Sequence, residues 1–193
     1  MCYHQLVSTK FGELSSLTRL YLEYSGFTRL IPKEISSLSK LQVLSISTVD
    51  PYGLRLEPYN FELLLKNLTQ LRKLHLDSVS ICSTIPLNFS SYLTTLWLPC
   101  TQLRGVLPER VFHLSKLEHL DLSFNSLTGP IPSNEFKSNT LEFVSVKQNQ
   151  LQGPIPKSLL DLQAAKNWTY PLQCYYIRMQ VVAEKARKPG GIP

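Results

Sequence analysis

Leucines recur along this chain in a fixed figure. Leu17-x-x-Leu20-x-Leu22 returns as Leu41-x-x-Leu44-x-Ile46, Leu71-x-x-Leu74-x-Leu76 and Leu93-x-x-Leu96-x-Leu98, then as Leu117-x-x-Leu120-x-Leu122 and Leu141-x-x-Val144-x-Val146. The steps between first leucines are 24, 30, 22, 24 and 24 residues. Behind each core sits a second apolar residue (Phe27, Ile81, Leu103, Leu127, Leu151), and an apolar-Pro pair closes most turns, as at Ile85-Pro86 and Ile131-Pro132. The alternating Leu-x-Leu is a short strand with both leucines inward. One such coil cannot hide its own leucines, so the coils must stack and share a core. The predicted fold is an α/β solenoid, a leucine-rich-repeat right-handed coil with a short-strand parallel sheet on its concave face. The prolines assign the return path to irregular structure.

In such a coil an Asn ends each strand, its amide bonding backbone groups of adjacent coils. Here the position reads Ser25, Val49, Val79, Thr101, Asn125 and Asn149, so Asn125 and Asn149 alone carry the full structural ladder. The long second step holds an insertion, residues 48–67, with a turn at Asp50-Pro51-Tyr52-Gly53 and a short convex-side helix from an N-cap at Asn60. Three segments follow: a non-repeat leader at 1–10, the solenoid at 11–163, and a basic, Gly/Pro-rich tail at 164–193 expected to be disordered.

The strand residues that alternate with the leucines form three lateral rows on the concave face. One row is Arg19, Val43, Lys73, Thr95, His119, Phe143; the middle is Tyr21, Ser45, His75, Trp97, Asp121, Ser145; the third is Glu23, Ser47, Asp77, Pro99, Ser123, Lys147. Aromatic and arginine side chains are what interfaces overuse. The candidate binding residues are therefore Arg19, Tyr21, Lys73, His75, Trp97, His119, Asp121 and Phe143, with Trp97 as centre and Asp121 in its polar surround.

Charge and chemistry change this picture little. The net charge is +6, but residues 164–193 hold five bases against one acid, leaving 15 bases and 13 acids in the body. The basicity belongs to the tail and makes no case for nucleic acid. No run approaches ~18 apolar residues, so no membrane span is expected, and the first ten residues do not read as a signal peptide. Cys2, Cys82, Cys100 and Cys174 form no C-x-x-C pair; Cys82 and Cys100 read as small buried thiols. His75 and His119 lie two coils apart, ~10 Å, too far to share one ion, so no metal and no cofactor are expected. His119, Asp121 and Ser123 have the letters of a hydrolase triad but alternate along one strand with no oxyanion donors, and no enzyme activity is read. Asn67-Leu68-Thr69, Asn88-Phe89-Ser90 and Asn167-Trp168-Thr169 fit the N-glycosylation sequon, the first two on return segments.

The endings Leu127-Thr128-Gly129-Pro130-Ile131-Pro132 and Leu151-Gln152-Gly153-Pro154-Ile155-Pro156 resemble the plant extracellular subclass of these repeats. Residues 60–71, Asn60-Phe61-Glu62-Leu63-Leu64-Leu65-Lys66-Asn67-Leu68-Thr69-Gln70-Leu71, and the segment Arg104-Gly105-Val106-Leu107-Pro108-Glu109-Arg110-Val111-Phe112-His113-Leu114 resemble ectodomains of Cf-type receptor-like proteins, plant surface receptors of pathogen resistance. The resemblance runs from Phe11 to Leu160. It implies a protein or peptide ligand on the concave face, a place on the outer side of the plasma membrane, and a signalling co-receptor, because such proteins carry no kinase. Family members have a signal peptide, cysteine-paired caps, many more repeats and one membrane helix, none of which is read here. The Phe136-Lys137-Ser138-Asn139-Thr140-Leu141 coil resembles one placed later in such ectodomains, which implies a chain with internal repeats lost. Two alternatives stand beside the receptor reading. One is a soluble inhibitor like the polygalacturonase-inhibiting proteins, which share the repeat subclass; the other is a truncated, non-signalling fragment.

Overall fold

The computed structural model describes residues 5–6, 14–24, 27–50, 53–132, 140–154 and 156. Each Leu-x-Leu is a strand: β2 (Arg19–Glu23), β4 (Val43–Ser47), β6 (Lys73–Asp77), β7 (Thr95–Trp97), β9 (His119–Asp121) and β11 (Phe143–Ser145). They form one parallel sheet in chain order, β2-β4-β6-β7-β9-β11. Register pairs equivalent residues throughout, for example Leu74 with Leu96 and Leu96 with Leu120. The inward leucines and isoleucine of β2 to β9, with Leu98 and Leu122, are buried in one continuous core; Val144 and Val146 pack half-buried at its far end.

The return path carries more order than its prolines suggest. A second row of parallel strands flanks the concave sheet: β1 (Gln5–Leu6), β3 (Phe27–Leu30) and β5 (Leu54–Arg55) at one end, β8 (Arg104–Val106), β10 (Ser126–Pro130) and β12 (Gln150–Gln152) at the other. The expectation of an irregular return is corrected here. Pro130 is tolerated because it closes β10 instead of interrupting it. The glycine of the Leu-x-Gly motif is what permits these strands. Gly105 has φ +83°, and a Cβ there would lie 3.1 Å from Thr84 Cγ2. An L-residue would meet both the left-handed backbone and the neighbouring coil. β1 lies inside the segment assigned to the leader and pairs with β3.

Behind the sheets run short 3₁₀ helices, Lys33–Ser37 and Glu109–His113. The insertion places one true helix in the same layer: α1 (Pro58–Asn67) packs beside Lys33–Ser37 and buries Phe61, Leu64 and Leu65 in the common core. Asn60 is not its N-cap. Glu57 holds that position with no side-chain bond, and Pro58 follows at the first turn, where its missing N–H costs nothing. Asn60 instead lies within the first turn, its Nδ2 donating to Glu57 Oε2 at 3.3 Å. The insertion turn closes with Gly53 N–H on Asp50 O at 2.8 Å.

The ladder follows the sequence in its second half. Asn125 Nδ2 donates to Leu98 O, Leu122 O and Ser123 O, while its Oδ1 accepts from the N–H groups of Thr101 and Leu103. Asn149 repeats the scheme on Leu122 O, Val146 O and Lys147 O, and accepts Leu127 N–H. Thr101, fully buried, donates its hydroxyl to Leu98 O. Val79 is buried without polar contact to offer, whereas Val49 is 80% exposed. Val49 therefore does not occupy a ladder position at all; the insertion draws the chain outward there. Ser25 lies outside the described residues. The residues just ahead of these ladder positions turn the chain with left-handed φ: Ser78 (60°), Cys100 (56°), Phe124 (56°) and Gln148 (54°).

Candidate functional site

The first two rows inferred from alternation are in register along the whole sheet, and the third over Glu23, Ser47 and Asp77. β-pairing aligns Arg19, Val43, Lys73, Thr95, His119 and Phe143 in one row, and Tyr21, Ser45, His75, Trp97, Asp121 and Ser145 in the next. Arg19, Tyr21 and Lys73 are exposed; His75, Trp97, His119 and Phe143 are half-buried. The aromatic members are not isolated. Trp97 stacks on Phe143, ring centroids 5.6 Å apart and planes 16° from parallel, and meets His75 edge-on at 5.9 Å. Trp97 and Phe143 belong to strands two coils apart, ~10 Å, so both rings lean over the intervening strand β9.

Asp121 lies in register between Trp97 and Ser145. Placed in the polar surround by its outward position, it is fully buried in the structure. Its Oδ1 accepts Ser123 N–H at 2.8 Å and Ser123 Oγ–H at 2.5 Å, and its Oδ2 has no partner among the described residues. Burial pushes its carboxyl above the usual range, against the hydrogen bonds from Ser123 and the charge of Lys147. Asp121 is a buried group and not a rim residue. The triad letters resolve similarly: Ser123 bonds Asp121 directly, leaving no imidazole between the two.

Sequence alternation did not single out a second cluster. Glu23, Ser45, His75 and Asp77 converge from β2, β4 and β6. The Ser45 hydroxyl donates to Glu23 and lies 3.1 Å from His75 Nδ1, which is 3.8 Å from Glu23 Oε1. Burial lowers the His75 pKa against the pull of Asp77, Glu23 and Asp121, and burial raises that of Asp77. The imidazole is therefore neutral near pH 7. The third row, with Glu23, Ser47 and Asp77 in register, held the signal.

Elsewhere, Cys82 is a half-buried free thiol and Cys100 is half-buried and disulfide-bonded, which corrects the expectation of two buried thiols. Among the described residues no group of three or more His, Cys, Asp or Glu is placed to hold a metal, and no helix is long and apolar enough to cross a membrane. Asn67 and Asn88 are both exposed, Asn67 at the end of α1 and Asn88 on the next return segment; Asn167 lies outside the described residues.

Residues 116–136 match the Leucine Rich Repeat family. Over 120 residues, 62% of the chain, it is 62% identical to a receptor-like protein Cf-9 homolog of Solanum lycopersicum, and 61% identical over 120 residues to receptor-like protein Cf-9 of Solanum pimpinellifolium. Over these 120 residues the chain is similar to receptor-like proteins of the Cf type. It spans 14% of the length of those curated relatives. Among solved structures, the ectodomain of the Arabidopsis receptor kinase HAESA, in complex with an N-terminally extended IDA peptide hormone, aligns with TM-score 0.58 and 31% identity, covering 74% of this chain and 24% of that one. The repeats of this chain bury a regular leucine framework while their concave rows carry His75, Trp97, Asp121 and Phe143.

Proposed function

We propose that this chain is a recognition segment of a plant cell-surface receptor-like protein in pathogen perception, and that its concave face binds a protein or peptide. The observation that carries the reading is the aromatic ridge His75–Trp97–Phe143, held on the concave sheet of Cf-type repeats and left partly open to solvent. A large aromatic anchor with charged groups beside it is the composition of an interface centre. The HAESA ectodomain, a structural neighbour, binds a peptide hormone, which favours a peptide as ligand here. In this reading the chain performs no catalysis, and signalling belongs to a co-receptor. The place of action is the outer face of the plasma membrane.

Panning a random peptide library on the folded chain tests this. Peptides that bind the parent should bind Trp97→Ala about tenfold more weakly or worse. The same change removes a stacked and an edge-on contact, so it should also cost about 1 kcal/mol of stability, and Trp97→Phe should recover most of that. Peptides that bind parent and Trp97→Ala equally would place recognition elsewhere.

The exposed sequons support glycosylation at Asn67 and Asn88 within this reading, on the face away from the ridge. Fused to a signal peptide and secreted from plant cells, the chain should lose mass on glycosidase digestion, and Asn67→Gln and Asn88→Gln should each remove part of that loss. Unchanged mobility of the secreted parent would exclude both sites.

A further inference from the structure

We infer that Cys100 is joined by a disulfide to Cys174, so that the basic tail is fastened at the edge of the concave sheet. Cys100 is disulfide-bonded, and Cys82, in the neighbouring coil, is a free thiol. The chain holds four cysteines, so the partner within it is Cys2 or Cys174. Both lie outside the described residues, and reach decides between them.

The return path sets the distance that Cys2 would have to cover. Gln5 pairs with Phe27, Arg29 with Leu54 and Arg55 with Ser80, and Ile81 N–H donates to Thr101 O. Gln5 therefore stands four coil spacings from the coil of Cys100, ~19 Å at ~4.8 Å each. Three residues of fully extended chain carry Cys2 at most ~11 Å from Gln5. That leaves ~8 Å or more, whereas the two Cα atoms of a disulfide lie within ~7 Å. The gap is wider still, because Leu103 and not Cys100 occupies the position equivalent to Gln5. Cys174 meets no such limit. The described solenoid ends at Pro156, in the coil of β12, two spacings or ~10 Å from the coil of Cys100. Cys174 follows Pro156 by 18 residues, which span that distance several times over.

The local geometry at Cys100 suits a bond to an arriving segment. It turns the chain at a left-handed φ of 56° just after β7 and stays half-buried, with one side open to solvent. Cys82 is held apart, its thiol donating to Gln102 Oε1 at 2.6 Å. Cys100 follows Trp97 by three residues, so the bond brings the tail to the border of the aromatic ridge, with Trp168, Tyr170, Tyr175 and Tyr176 near Cys174 in sequence. Its formation takes one proton and one electron from each thiol; oxidised glutathione accepts them and leaves as two thiols. The bond stands or falls apart from the recognition reading.

The test maps the bond directly. The full chain, folded from its reduced form in a glutathione redox buffer, is denatured with N-ethylmaleimide and no reductant, then digested with trypsin. Cys82 and Cys100 share the tryptic peptide 74–104, while Cys174 lies in 167–178 and Cys2 in 1–10. Mass spectrometry should find 74–104 joined to 167–178, with one maleimide, placed on Cys82 by fragmentation. In Cys174→Ser, Cys100 should take up maleimide as well; in Cys2→Ser the bond between 74–104 and 167–178 should persist. If the refolded parent lacks a dispersed amide spectrum, the chain secreted from plant cells behind a signal peptide, deglycosylated before digestion, is read the same way. Cys100 joined to the Cys2 peptide, a maleimide on Cys100 in the parent, or a bond made by Cys82 would each overturn the assignment.

Discussion

Replacing Asn125 by alanine should lower the unfolding free energy by about 3 kcal/mol, because it orphans backbone groups on two coils at once. The carbonyls of Leu98, Leu122 and Ser123 lose their donor, and the N–H groups of Thr101 and Leu103 lose their acceptor. Leu103 and Thr101 are wholly buried, so water cannot replace the amide without opening the coil. Asn149→Ala should cost less, since its Oδ1 accepts one coil-to-coil N–H, that of Leu127. Urea denaturation followed by circular dichroism measures both. An Asn125→Ala midpoint equal to that of the parent would show that the ladder contributes nothing.

The second large effect lies in the insertion. Phe61→Ala should cost about 3–5 kcal/mol, the range for emptying a buried aromatic site. Phe61 has no exposed surface and belongs to the same core as Leu44 and Leu74. Because domains keep only about 5–15 kcal/mol in total, this variant should be marginal at 37 °C. Tyr59→Ala, two residues away but 71% exposed, should shift stability by less than about 0.5 kcal/mol. Equal losses at the two positions would mean that α1 is not the rigid part of the core described above.

Much of this architecture was legible because leucine periodicity is a one-dimensional code for a nearly one-dimensional fold. Leu74, Leu96 and Leu120 align in space as they align in the repeat. What escaped was whatever depends on two coils at once. The prolines marked the return path as irregular, yet the positive φ of Gly105 and Gly129 lets strands pair across it. Asp121 alternates outward like its neighbours, yet it is fully buried, in register between Trp97 and Ser145 and bonded to Ser123. Asn60 resembles a cap by composition, but Pro58 had already set the helix start. At Val49, the spacing rule failed because the inserted residues displaced the chain from its ordinary path.

The uneven ladder has a mechanical meaning. Stacked coils behave as a spring whose compliance is set rung by rung. Rungs at Asn125 and Asn149 clamp the far half, while Val79 offers no polar rung and Val49 stands outside. Between β4 and β6 the missing rung is offset by pairing along all five residues of both strands, whereas β7, β9 and β11 pair over three residues each. The short-strand half thus takes its lateral stiffness from side-chain amides, and the long-strand half takes it from the backbone ladder.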